Sequence, residues 1–299
     1  MRAPRSGRDY PRTNTEFYAT LSSPADAAGW IDRLRWEGGF TCPECSGMEH
    51  WPLAAGGRRC KGCRHRIALL AGTPFHRARV PAPAVLEAAW LMTEPNSVAN
   101  ASSLTRNAAI NRENAWTVMH KFREVMHRDM CSVQLRGIVE VDEVFVGGKP
   151  RKRGTAQRGR GTAKYSVVVL AERRKGERVI VRRVRNIRAT TLLAVVRSHV
   201  APGATIRIDA NPSYGGLAAM GYRHTSYNMS ALPLPAHRYL LVVHAVSSNA
   251  KRWLTQALHR TPSGKHLDYY LAEFAFRCNR RTARQRGLSF YRLLEATLQ

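Results

Sequence analysis

Two cysteine pairs and two aspartates carry the clearest chemistry in this chain. Cys42-Pro-Glu-Cys45 and Cys60-Lys-Gly-Cys63 are both CxxC, with 14 residues between them. A CxxC turn brings two sulfurs to one ion, and four thiolates suit tetrahedral Zn²⁺. The spacing predicts a structural zinc site on Cys42, Cys45, Cys60 and Cys63, with a redox or disulfide role for the pairs as the alternative. Four protein ligands fill the coordination sphere, so this zinc would staple a small domain and take no part in catalysis. Gly62 suits the second turn, and Phe40 and Trp51 are placed to shelter the metal. Arg58, Arg59, Lys61, Arg64, His65 and Arg66 crowd the second pair and predict a phosphate-contacting surface.

Asp142 lies inside the run Val139-Glu140-Val141-Asp142-Glu143-Val144, and Asp209 closes Thr205-Ile206-Arg207-Ile208-Asp209. A carboxylate in an apolar strand is costly unless it is paired or binds a cation. Two readings stay open from the residues alone. The two carboxylates converge on Mg²⁺ or Mn²⁺, which takes its remaining ligands from water and phosphate; or each is ion-paired to one of the many arginines.

The elements that would position these groups follow from periodicity. Residues 21–39 read as a short helix with Ser23 as N-cap, Pro24 in its first turn and Gly38-Gly39 at its end. Apolar positions Val85, Leu86, Ala89 and Met92 mark a helix face, a second segment runs over about 97–110, and Asn111 caps a third helix. Short helices joined by a tight turn suggest a helix-turn-helix, or three packed helices of no special function. From Gly137 onward strands alternate with helices: a strand in GIVEVDEVFVGG (137–148) with a Gly-rich exit, others at 164–174, at the alternating RVIVRRVR, at 204–210 and 221–227, and helices over 189–200, 244–260 and 266–281. Three strands, a helix, a buried strand and C-terminal helices make an α/β order compatible with an RNase H-like domain. The predicted division is a flexible basic arm (1–20), a zinc ribbon with its preceding helix (21–75), a helical DNA-binding region (76–135) and the α/β domain (136–299).

Charge sets the partner class. The chain has 48 Lys and Arg against 21 Asp and Glu, a net +27. Such a balance attracts polyanions, nucleic acid foremost, because each neutralised phosphate releases a counterion. The stretch Lys149–Lys164 is basic and Gly-rich and holds no acid; Lys149, Arg151, Lys152, Arg153, Arg158 and Arg160 are its DNA-binding candidates, with Arg252 further on. A solvated hairpin loop is the plainer reading of that stretch. No apolar run is long enough to cross a membrane, so the expectation is a soluble cytoplasmic protein associated with the nucleoid.

Joint motifs extend these readings. VEVDEVFVGGK (139–149), Asp209 with the following PSYGGLAAMGYRH, VHAVSSNAKRWL (243–254) and HLDYYLAEFAFRCNRR (266–281), together with CPEC…CKGC, resemble insertion-sequence transposases that join a zinc ribbon to a DDE-type catalytic domain. The resemblance runs from about residue 20 to about 295. It implies an RNase H-like catalytic domain in which Asp142, Asp209 and Asn249 hold Mg²⁺ or Mn²⁺, with Lys251 as the neighbouring basic residue. Asn249 stands where the family also uses Glu, and would ligate through a neutral carbonyl oxygen. The implied activity is metal-dependent cleavage and strand transfer at terminal inverted repeats, by a homo-oligomer assembled on DNA. A catalytically inactive DNA-binding regulator and a structure-selective nuclease are the competing outcomes. Ala210-Asn211-Pro212 after Asp209, and Thr255-Gln256-Ala257-Leu258 after Trp253-Leu254, depart from the family pattern.

Overall fold

The structure, a computed structural model, describes residues 4–21, 23–54, 56–94, 99–147, 164–173, 178–228, 231, 233, 236–258, 264–283 and 285–298. Along the chain the elements are α1 (Asn14–Ala19), α2 (Pro24–Arg35), β1 (His50–Pro52), β2 (Gly57–Cys60), β3 (Arg66–Ala68), α3 (Ala82–Met92), α4 (Ala101–Ala108) and α5 (Arg112–Ser132). They continue as β4 (Ile138–Val146), β5 (Tyr165–Glu172), β6 (Val179–Val184), α6 (Ala189–His199), β7 (Thr205–Asp209), β8 (Arg223–Tyr227), α7 (Ala236–Tyr239), α8 (Leu241–Leu258), α9 (Gly264–Asn279) and α10 (Arg286–Leu298). The chain divides into two compact units, Met1–Val125 with Ala283–Gln299, and Met126–Thr282.

The first unit is helical with a small sheet. Helix α2 starts as its residues dictate: the Ser23 hydroxyl accepts the Asp26 N–H at 3.1 Å, and Pro24 fills a position where a missing N–H costs nothing. β1, β2 and β3 form an antiparallel three-stranded sheet in that order. Helix α3 is buried on nearly every side, and α2, α4 and α10 pack on it. Ala109 ends α4 in the left-handed region (φ 51°), and Asn111 then caps α5 by accepting the Asn114 N–H at 2.8 Å. This is the reversal a helix-turn-helix needs.

Within the stretch expected as a flexible arm, the described residues include a helix, α1, that packs into this unit. Phe17 of α1 is fully buried and stacks on Trp90, with centroids 4.4 Å apart and planes 2° from parallel; it meets Phe290 of α10 edge-on. One aromatic with two aromatic partners from distant segments outweighs the polar composition around it. Helix α10 also packs here, on α2 and α3. Gly287 permits that approach, since a Cβ there would stand 1.8 Å from the Pro11 carbonyl oxygen.

The second unit is a five-stranded sheet in the order β6-β5-β4-β7-β8. β4, β5 and β6 are antiparallel to one another, while β7 pairs parallel to β4 and β8 parallel to β7. This is the strand order of the RNase H fold, as the order of elements predicts. β5 is buried from Val167 to Glu172, which explains its unbroken Val-Val-Val-Leu-Ala run. Helix α8 packs against β4 and β5, α9 against β6, and α6 against the turn after β7. Among the described residues no helix is long and apolar enough to cross a membrane.

Candidate metal centres

The two cysteine turns repeat one local design. The Cys42 N–H donates to the Gly47 carbonyl and the Cys60 N–H to the His65 carbonyl, both at 2.9 Å. The residue after each pair, Ser46 and Arg64, adopts a positive φ (59° and 63°) that turns the chain back. Cys42 and Cys63 place their sulfurs 3.6 Å apart, Cys45 and Cys60 theirs 3.5 Å apart, and all four lie within 4.8 Å. Four sulfurs at about 2.3 Å from one Zn²⁺ stand about 3.8 Å apart, so the quartet has the size of a tetrahedral zinc site. Four thiols this close also conflict with one another over ionisation. The Cys63 N–H holds the Cys60 thiol down at about 7. Although the His65 N–H favours its thiolate, Cys63 is pushed up to about 12 by burial and the three other sulfurs. A dication removes that conflict. The four cysteines form a zinc-binding site.

The shelter differs from expectation. Phe40 is buried against Cys42, Cys60 and Ile67, with Trp36 packed beside them. Trp51 is 37% exposed and lies under Arg64 (4.6 Å from guanidinium to ring centroid) and Lys61 (6.0 Å). The basic cluster also splits in two. Arg58 forms a largely buried two-pronged pair with Asp32 at 2.7 and 2.6 Å, so it serves the fold and is withdrawn from any phosphate. Lys61 and Arg64 stand at the surface.

In the second unit, β4 and β7 run parallel with Ile138, Val139 and Glu140 opposite Thr205, Ile206 and Arg207. The same register carried forward puts Asp142 beside Asp209, on one face of the sheet. Both are half-buried. Burial pushes the Asp142 carboxyl up; the positive sides of His244 and Lys251 oppose this, and the charge of Asp209 adds to it. His244, on α8, brings Nδ1 to 3.8 Å from Asp142 Oδ2. Lys251 follows seven residues later, about two turns on and hence on the same side of α8. Two adjacent half-buried carboxylates, one of them strained toward its neutral form, suit a divalent cation that takes its other ligands from water and phosphate. Among the described residues the cysteine quartet is the one place where three or more His, Cys, Asp or Glu ligand atoms converge so closely. The aspartates therefore offer a pair of protein ligands.

Of the expected set, Asp142 and Asp209 lie side by side with Lys251 close to Asp142, and Asn249 lies on the same helix as Lys251. Asn249 is exposed on α8, about 140° round the helix from His244. Among the described residues no hydrogen bond joins it to either aspartate. His244 occupies the near place. It was present in the sequence as the first residue of the His244–Leu254 motif, but its approach to Asp142 depends on how α8 lies across the sheet. Glu143 points to the other face of β4, where the Tyr214 hydroxyl and Asn211 Nδ2 (2.9 Å) donate to it. The Asn211 N–H meanwhile donates to Asp209 Oδ1 at 3.2 Å. Residue 211, in a stretch that departs from the family pattern, thus braces the site. Arg252 is exposed beside Lys251. Lys149, Arg151, Lys152, Arg153, Arg158 and Arg160 lie outside the described residues.

A zinc ribbon joined in one chain to an RNase H-like sheet with paired aspartates defines a DDE-type transposase architecture. Residues 134–279 match the ISXO2-like transposase domain and residues 23–66 the transposase zinc-ribbon domain. Both regions of the chain thus match models of transposase domains, one catalytic and one zinc-binding. No curated protein matches the sequence. Among solved structures, a pre-cleavage Mos1 transpososome overlaps 72% of this chain and 78% of its own at 10% identity and a TM-score of 0.25. The Mos1 mariner paired-end complex with Mn overlaps 62% and 73% at 10% identity and 0.21. Overlap that loose adds nothing to the assignment, which rests on the two family matches.

Proposed function

We propose that this chain is a metal-dependent DNA transposase that cleaves the ends of an insertion sequence and joins them to target DNA. The observation that carries this reading is the placement of Asp142 beside Asp209 on neighbouring parallel strands, with His244 and Lys251 on the helix above. A bound Mg²⁺ or Mn²⁺ would polarise the scissile phosphate and lower the pKa of an attacking water or 3′-hydroxyl. Asp142 and Asp209 hold that charge in place, and Asn211 and Glu143 steady the strand ends around them. Lys251, in reach of Asp142, offers a cation to a phosphate oxygen. Asn249, the motif's third position on the same helix, would complete the set through its neutral carbonyl oxygen. Catalysis is then positioning plus charge neutralisation, with no covalent enzyme intermediate.

The partner is DNA: terminal inverted repeats and target. In the first unit the ribbon face around Trp51, Lys61 and Arg64 and the start of α5 are the reading surfaces. Trp116 there is 42% exposed, with its ring centroid 3.9 Å from that of His120. Two ends have to be cut and joined together, so the working form is a homo-oligomer on DNA.

The test is a cleavage and joining assay with element-end DNA and Mg²⁺ or Mn²⁺. Wild type should release a 3′-hydroxyl end and join it to a second duplex. Asp142→Ala and Asp209→Ala should each lower cleavage by about 10³-fold, the size of a lost metal contribution of several kcal/mol. Binding to end DNA without cleavage under any divalent ion would favour the inactive regulator. Cleavage without joined product would favour a nuclease.

A further inference from the structure

Strand β4 carries two acids on the face that α8 covers, Glu140 and Asp142, two residues apart and so on the same side. Asp142 serves the proposed reactive site. Glu140 is completely buried. Its Oε2 accepts the backbone N–H of Val242 at 2.8 Å and of Val243 at 3.0 Å, and its Oε1 accepts from Arg173 Nη1 at 3.2 Å. The first N–H groups of a helix have no partner within the helix and are normally met by a Ser, Thr, Asp or Asn beside them. Around its start α8 reads Leu240-Leu241-Val242-Val243, which offers no such side chain. A carboxylate about a hundred positions earlier fills the role, and its charge suits the positive end of the helix.

We infer that Glu140 is the positioning residue of the Asp142 site: it clamps the first turn of α8 to β4 and so sets His244 and Lys251 over Asp142. His244 directly follows the two clamped residues. Clamp and ligand share one strand segment, so the helix cannot drift along the sheet without breaking bonds to the residue two positions from Asp142. The inference rests on the proposed reading of that site.

The test uses the full zinc-loaded chain as Glu140→Gln, Glu140→Asp, Glu140→Ala and Asp142→Ala. Three quantities are read: amide hydrogen exchange at Val242 and Val243, single-turnover cleavage at saturating DNA, and Mn²⁺ affinity by paramagnetic resonance. Glu140→Gln keeps an acceptor of the same reach, so exchange should stay slow and cleavage should stay within about tenfold of wild type. Glu140→Asp keeps the charge but falls one methylene short. Both amides should then exchange faster and cleavage should drop by about 10²-fold, as for a misplacement of about 1 Å, with DNA affinity and exchange in α9 unchanged. A purely structural role would loosen α9 as well and spare the rate of the folded fraction. Glu140→Ala should go further in the same direction; if it does not fold, Glu140→Asp decides. Fast exchange at Val242 and Val243 with wild-type cleavage would overturn the inference, as would unchanged exchange in Glu140→Asp. If Asp142→Ala itself binds Mn²⁺ and cleaves as wild type does, the reading of the site fails instead and the inference goes with it.

Discussion

At the residue scale, neighbouring cations in one basic cluster have opposite jobs. Arg58 sits in a buried pair with Asp32, and removing one partner of such a pair leaves an uncompensated charge costing about 3–5 kcal/mol. Arg58→Ala should therefore lower thermal stability sharply. Trp51→Ala should leave the melting temperature and zinc content near wild type but weaken end-DNA binding by about tenfold, on the scale of one lost base stack. Equal DNA affinities for Trp51→Ala and wild type in a titration would remove the ribbon face from the interface. His199 gives a second residue-level expectation. Its burial lowers its pKa; Arg182 Nη1 donates to Nε2 at 3.2 Å, and the ring's Nδ1 lies 3.4 Å from the Val133 carbonyl. The unfolded imidazole takes a proton near pH 6.5, which the folded one refuses, so this contribution is complete above about pH 6.5 and is lost as pH falls below it. Melting curves between pH 7.5 and 5.5 should show the decline, and His199→Gln should flatten it. Residue identity alone announced the cysteines and both aspartates. It could not announce which arginine was withdrawn by Asp32, nor that His244 would approach Asp142, because both outcomes depend on contacts between segments far apart in sequence.

At the element scale, legibility followed periodicity. The alternating and continuous apolar runs of β4 to β7, and the capped helices at Ser23 and Asn111, were readable because local residues satisfy their own backbone ends. Helix α1 was not, since a six-residue helix in a polar stretch exists by virtue of Phe17 meeting Trp90 and Phe290. The start of α8, read at 244 from the residue pattern, lies at Leu241, where Glu140 caps it from the sheet. The ribbon strands are three and four residues long, too short to persist without their metal. Chelation should release one zinc per chain and open amide exchange over residues 42–68, while exchange in β4 and β5 stays slow. Retained protection in the ribbon after zinc release would show that the hairpins stand without it.

At the scale of the whole molecule, a net charge of +27 makes ionic strength the dominant control on binding. The logarithm of end-DNA affinity should fall linearly with that of salt, by about 0.9 for each phosphate neutralised. Arg64→Gln and Arg252→Gln should each flatten that slope by about one contact, and a slope identical to wild type would place the residue off the DNA path. The path of the chain has a consequence for synthesis. The helical unit takes residues from both ends of the sequence, closing when Gly287 seats α10 against the Pro11 carbonyl, while the sheet unit is one continuous stretch. A ribosome thus makes the whole sheet unit, aspartates included, before it makes the helix that completes the helical unit. During synthesis Phe17 and Trp90 therefore wait for Phe290 until every strand of the sheet has already emerged.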